Sequence, residues 1–181
     1  DLTVTREVIA INSVRSRMLE PGYAYLRISQ FRATTAQDLE SEYEKLSAEN
    51  QDLKGLVLDL RNNPGGVLQA SVGVVDTFIS DGRIVSTKGR LEGNNMEFMA
   101  TNRTIAKDIP IVVLINNGSA SASEIVAGAL QDHNRAIIMG TRSFGKGSVQ
   151  SVVPLAEQRA IKLTTSLYFT PNGRSIQAQG I

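Results

Sequence analysis

Apolar residues recur along the chain in two rhythms, one of period two and one of helical period, and these predict the elements. Leu2 to Ile11 and Ser13 to Leu19 alternate polar and apolar over two short β-like runs. Pro21-Gly22 punctuates them, and Tyr23 to Ile28 makes a third run, so an antiparallel start is expected. Thr35 and Asp38 offer a capping box, after which Leu39, Tyr43 and Leu46 recur at helical spacing through a charged segment ending near Asn50. Gly55 to Leu60 is an apolar run of the kind found in fully buried strands. Arg61-Asn62-Asn63-Pro64-Gly65-Gly66 follows it, and Leu68, Val72, Val75 and Ile79 then return at helical spacing. Arg83 to Thr87 and Met96 to Ala100 are the arms of an expected hairpin about Glu92-Gly93-Asn94-Asn95, followed by a polar excursion through Lys107.

The second half repeats the strand, turn, helix pattern. Ile111 to Ile115 is apolar, Asn116-Asn117-Gly118 supplies a turn, and Ser121 with Glu124 makes an S-x-x-E capping box before the amphipathic stretch Ile125 to Leu130. Ala136 to Gly140 is another buried-strand run. Ser148 to Leu155 and Arg159 to Phe169 alternate, with Ile161, Leu163, Thr165, Leu167 and Phe169 on one face, and Pro171-Asn172-Gly173 is a turn. Three buried strands separated by helices predict parallel βα units whose strand-following loops share one sheet edge. With antiparallel segments at both ends, the expected class is α/β.

Composition narrows the chemistry. At 181 residues, 41% hydrophobic and 20% charged, the chain can bury one sizeable core and is expected to form one domain over residues 1–181. Nineteen basic against eighteen acidic residues leave no excess charge to attract nucleic acid or an anionic membrane, so a small molecule or a protein is the expected substrate. No apolar run approaches the ~18–20 residues of a membrane span, and the first residues lack a signal-peptide core. The absence of cysteine excludes a thiol nucleophile or thiolate metal site. A single histidine, His133, excludes zinc sites that need two. Catalysis is left to hydroxyls, lysines or carboxylates, with no metal or cofactor expected.

Ser121 would face free N–H groups and the positive end of a helix dipole, which stabilise charge developing on a nearby oxygen; the same residue also reads as a plain helix cap. Gly65-Gly66 likewise reads as a backbone able to approach a substrate oxygen or as a plain βα turn. The helix from Ser121 to His133 runs about 18 Å away from the sheet edge at ~1.5 Å per residue, and strand 136–140 brings the chain back to it. Lys146 therefore returns to Ser121, whereas His133, twelve positions along the same helix, does not. A lysine must shed its proton to act as a base, from an ordinary pKa of about 10.4, which requires desolvation. Phe144 and the surrounding apolar strands are the expected source, and Gln150 is the amide available to hold the amine. Gly140 to Lys146 also matches a G-x-x-x-x-G-K phosphate loop. Gly147 stands where Mg²⁺ ligation wants Ser or Thr, however, and Ser148 to Val153 reads as strand where that loop needs a helix.

Asn117 to Glu124, Phe144-Gly145-Lys146-Gly147-Ser148-Val149-Gln150 and Leu60 to Gly66 together closely resemble the C-terminal processing peptidases, or tail-specific proteases, over essentially the whole chain. The resemblance selects Ser121 among the three neighbouring serines as nucleophile. It implies Lys146 as general base, Gln150 as its orienting amide, and the Gly66 and Ala122 N–H groups as the oxyanion hole. It further implies a crotonase-like (ClpP-like) α/β core acting as an ATP-independent serine endopeptidase near protein C-termini, without cofactor. Such enzymes are exported to the bacterial periplasm or cell envelope, or to the thylakoid lumen in plants. The implied partners are protein or peptide substrates held through their C-terminal region, with a homo-oligomer or an adaptor as further expectations. Family members carry a PDZ domain, which Thr5-Arg6-Glu7-Val8-Ile9 resembles the exit from. The PDZ domain before residue 1 and the family's extension after residue 181 are absent from this sequence, which is expected to be a fragment of something longer. Two alternative classes remain open: a silent binding or scaffold module on a protease core, and a crotonase-like acyl-transfer enzyme.

Overall fold

The computed structural model describes residues 12–50, 52–91, 93, 95–156 and 159–181. The alternating run expected over Leu2 to Ile11 lies outside them. In chain order, the hairpin β1 (Val14–Glu20) and β2 (Tyr23–Ile28) leads into α1 (Thr35–Glu49), β3 (Gly55–Asp59) and α2 (Leu68–Asp76). A hairpin of β4 (Arg83–Gly89) and β5 (Met96–Met99) precedes β6 (Ile111–Ile115), α3 (Ala122–Asp132) and β7 (Ala136–Gly140). The described chain closes with β8 (Ser148–Pro154) and β9 (Ala160–Phe169).

The strands form a five-stranded sheet in the order β1-β2-β3-β6-β7 and a four-stranded sheet in the order β5-β4-β9-β8. In the first, β2, β3, β6 and β7 are parallel and β1 pairs antiparallel to β2 at the edge. The second is antiparallel throughout. This is the α/β arrangement with antiparallel segments at both ends that the hydrophobic rhythm predicts, with β2 serving both patterns. Leu26, Leu58 and Val113 sit at the centre of adjacent parallel strands. They share one core with Leu39 of α1, Val74 and Val75 of α2 and Val126 and Leu130 of α3, all buried. Helix α3 touches both β7 and β4, so it joins the two sheets.

Three local expectations are corrected, and the orientation of a further strand is settled. Thr35 lies inside α1 and Thr34 takes the N-cap position, its hydroxyl bonded to Asp38 Oδ2 at 3.0 Å. The Thr35 hydroxyl is instead buried, accepting the Arg32 N–H at 2.8 Å and lying 2.9 Å from Ser13 Oγ. Helix α2 ends at Asp76, so Ile79 is buried beyond it, and the fully buried face is Ala70, Ser71, Val74 and Val75. Strand β7 is not fully buried: it is a sheet edge, and its alternate residues Ile137 and Met139 are 67% and 56% exposed. On β9 the apolar set is the exposed one, with Ile161, Leu163 and Leu167 at least a third exposed, while Ser166 and Tyr168 on the opposite face are buried.

Candidate active site

Three loops follow the C-terminal ends of the adjacent strands β3, β6 and β7, and each is tied to the next by buried polar groups. Asp59, at the end of β3 and fully buried, accepts the Arg61 N–H at 2.9 Å, Arg61 Nε at 3.0 Å, Arg61 Nη2 at 2.8 Å and the Tyr25 hydroxyl at 2.6 Å. Burial works to raise the Asp59 pKa, but the Arg61 and Tyr25 hydrogen bonds outweigh it and hold the carboxyl below its ordinary value. Arg61 is raised in turn by the same carboxylate.

Asn63, fully buried, carries the loop across to α3. Its Nδ2 donates to Ile28 O at 2.9 Å and its Oδ1 accepts the Gly65 N–H at 2.9 Å. Its carbonyl accepts the Ala120 N–H at 3.0 Å and Ser123 Oγ at 2.9 Å. Gly65 and Gly66 have φ of 99° and 148°, a region L side chains seldom enter. A Cβ at Gly65 would lie 2.8 Å from Ser121 Cβ, and one at Gly66 would lie 2.0 Å from Phe31 O. Phe31 N–H donates to Gly65 O at 3.0 Å and Val67 N–H donates to Phe31 O at 2.9 Å. That bridge turns the N–H of Gly66 itself the other way, without a hydrogen-bond partner among the described residues.

Ser121 precedes α3 with φ 56° and ψ −111°, a strained conformation for a non-glycine residue. Such a turn between strand and helix projects a side chain outward, as nucleophile elbows do. The predicted capping box is present, with Glu124 Oε2 accepting the Ser121 N–H at 2.7 Å. The flanking serines are spent on structure: Ser119 Oγ donates to Leu60 O at 2.8 Å and Ser123 Oγ to Asn63 O, and both are fully buried. Of the three, Ser121 is the one that faces the cavity. The Ala122 N–H, at the first position of α3, has no hydrogen-bond partner among the described residues.

Glu124 does more than cap. Fully buried, it accepts Ser143 Oγ and the Gly145 N–H on Oε1, each at 2.6 Å, and the Lys146 N–H on Oε2 at 2.9 Å. The backbones of Ser121 and Lys146 therefore share one carboxylate oxygen. Phe144 N–H donates to Ser119 O at 3.0 Å, a second tie between the same loops. Phe144 itself is 70% exposed, so it is not the desolvating wall the sequence suggests.

Ser121, Lys146, Gln150, Gly66, Tyr168 and Lys162 all line one cavity of about 350 Å³. Gln150 stands at a bulge of β8 and is exposed. Among the described residues no hydrogen bond joins Ser121 Oγ, Lys146 Nζ and the Gln150 amide to one another. His133 lies at the far end of α3, where its Nε2–H donates to Arg83 O at 2.7 Å. Tyr168 and Lys162 were missed by the sequence reading. Both occupy even positions of β9, the face opposite the apolar alternation, and that phase was the available signal.

Residues 22–181 match the model of peptidase family S41, and the chain belongs to that family. It is similar to the carboxy-terminal-processing protease of Bartonella bacilliformis, 50% identical over 183 residues, covering 100% of this chain and 42% of the relative. The carboxyl-terminal-processing protease of Synechocystis is 40% identical over 185 residues, again covering 100% of this chain and 42% of the relative. Among solved structures, the photosystem II D1 C-terminal processing protease superposes with a TM-score of 0.83 at 35% identity, covering 98% of this chain and 48% of that one. The chain thus spans less than half the length of these relatives. Neither alternative class, scaffold or acyl-transfer enzyme, is favoured by them.

Proposed function

We propose that this chain is the catalytic core of an ATP-independent serine endopeptidase that cleaves proteins at or near their C-termini, in an exported compartment such as the bacterial periplasm or cell envelope. The observation that carries this reading is the strained Ser121, set at the start of α3 beside the unpaired Gly66 and Ala122 N–H groups and in one cavity with Lys146. Ser121 Oγ attacks the scissile carbonyl carbon and its proton passes to the neutral Lys146 amine. The Gly66 and Ala122 N–H groups donate to the oxyanion of the tetrahedral intermediate. As the C–N bond breaks, the Lys146 ammonium returns the proton to the leaving amine. A water then adds to the acyl carbon, giving its proton to Lys146, and collapse releases the new carboxyl terminus and restores the Ser121 hydroxyl. Gln150 orients the amine without adding charge. Lys146 closes on Ser121 Oγ when substrate fills the cavity, as catalytic hydrogen bonds commonly tighten only in the complex.

Independence from ATP is supported by Gly147 and by the start of β8 at Ser148, which replace the hydroxyl ligand and the helix that a phosphate loop requires. The C-terminal substrate preference rests on the resemblance to processing proteases. The test is hydrolysis of a short peptide by the protein and its Ser121→Ala variant, which keeps the buried framework. Loss of cleavage with an unchanged unfolding transition supports the reading; full cleavage by the variant removes Ser121 as nucleophile.

A further inference from the structure

Lys146 stands between Gly145 and Gly147, the most permissive backbone a chain offers, so the direction in which its side chain leaves must be set from outside the loop. On the N-terminal side Glu124 does this, through the N–H groups of Gly145 and Lys146. On the C-terminal side the Gly147 N–H goes to a side chain: Gln177 Oε1 accepts it at 3.0 Å. The Lys146 carbonyl shares that peptide plane and has no hydrogen-bond partner among the described residues. Among those residues, Gln177 is therefore the one group that fixes the Lys146–Gly147 plane by a hydrogen bond.

Gln177 belongs to the segment 175–181, which runs along the loop. Ala178 N–H donates to Gly145 O at 2.8 Å, Arg142 Nη2 to Ala178 O at 3.1 Å and Ile181 N–H to Ser143 Oγ at 2.8 Å. Buried Ile176 anchors the segment, its carbonyl accepting the Gln179 and Gly180 N–H groups at 3.1 and 3.0 Å. The two backbones come so close that a Cβ at Gly147 would lie 2.4 Å from Gln177 N. Packing thus requires glycine at 147, and the Gln177 hydrogen bond restores the rigidity that glycine gives up. We propose that Gln177 is a positioning residue for the general base, its amide oxygen locking the Lys146–Gly147 plane and so aiming the Lys146 side chain into the cavity that holds Ser121. This rests on Lys146 being the base of the proposed peptidase.

A neutral amide suits the task. Its oxygen accepts the Gly147 N–H without adding negative charge near an amine that must shed its proton; a carboxylate would accept the same N–H but favour the ammonium form. Misaiming the amine slows proton transfer and leaves substrate contacts in place, so the effect falls on kcat rather than on KM.

Gln177→Met keeps the length and removes the acceptor, whereas Gln177→Glu keeps the acceptor. Gln177 is exposed, so neither substitution removes a buried group. The experiment measures kcat and KM on a short peptide across pH, with the folded fraction at the assay temperature. Gln177→Met is expected to lower kcat by about 10- to 100-fold, the scale of a misplacement near 1 Å, with KM within about twofold. Gln177→Glu is expected to recover kcat to within about threefold on its high-pH plateau, where Lys146 is neutral in each protein. Wild-type kcat in Gln177→Met would overturn the proposal. So would an equal loss in both variants, a matching rise in KM, or a rate loss explained by a lower folded fraction. Failure of the unmodified protein to cleave peptide and to label at Ser121 with a fluorophosphonate would remove the protease reading and this inference together. A wild-type-like Gln177→Met in a protein that labels at Ser121 would remove the inference alone.

Discussion

Replacing Glu124 by glutamine tests how the site is assembled, because one buried carboxylate receives four donors from two segments, the start of α3 and the loop between β7 and β8. Oε2 takes the Ser121 and Lys146 N–H groups at 2.7 and 2.9 Å, and Oε1 takes Gly145 N–H and Ser143 Oγ, each at 2.6 Å. The amide keeps the shape but presents an NH₂ to one of these pairs. The cheaper orientation aims it at Ser143 and Gly145, since the Ser143 hydroxyl can rotate to accept while two backbone N–H groups cannot. One buried N–H then faces another donor, and the remaining hydrogen bonds lose their ionic partner. At about 1.5–3 kcal/mol for a hydrogen bond to a charged group, the net cost is about 2–4 kcal/mol. That is a large part of a domain's ~5–15 kcal/mol, so Glu124→Gln is the informative variant and Glu124→Ala risks unfolding. Denaturant unfolding reads the stability and peptide hydrolysis the alignment, with kcat expected to fall by at least about tenfold among molecules that remain folded. Wild-type stability and wild-type kcat in Glu124→Gln would refute the claim that this carboxylate sets Ser121 against Lys146.

Lys146→Arg is expected to lose peptide hydrolysis as fully as Lys146→Ala, since arginine keeps its proton and cannot serve as a base. Substantial kcat in the arginine variant would make Lys146 a binding cation instead. His133→Ala is expected to leave kcat unchanged while costing about 1 kcal/mol in denaturant unfolding for the lost hydrogen bond to Arg83 O. Asp59 has its folded pKa below its ordinary 3.8, so it contributes stability that is present above that value and lost as pH falls through the folded pKa. The stability gap between the protein and Asp59→Asn should therefore be constant near neutral pH and shrink below about pH 3.8; a gap that widens on acidification would contradict the assignment.

The strand, turn, helix units were legible because each pairs an apolar run with glycine or asparagine punctuation. The loops carrying Gly66, Ser121 and Lys146 could thus be placed on one edge of the sheet. What local pattern could not supply was selection among groups of one kind. Ser119, Ser121 and Ser123 differ only in partners contributed by Leu60 and Asn63, some sixty residues away. Glu124 read as half of a capping box because that contact lies three residues off, whereas its contacts to Ser143, Gly145 and Lys146 depend on β7 returning beside α3. The exposure of β7 follows from strand order, which an apolar run does not encode. On β9 the apolar alternation told the two faces apart but not which is covered: the polar side lines a cavity and the apolar side is left uncovered.

The most direct test of the account is covalent labelling of the protein by a fluorophosphonate, followed by mass spectrometry of its peptides. The prediction is a single adduct on Ser121, absent from Ser121→Ala, strongly slowed in Lys146→Ala and unaffected in Ser123→Ala molecules that remain folded. An adduct on another residue, or a Ser121 adduct forming at the wild-type rate without Lys146, would contradict the serine–lysine mechanism.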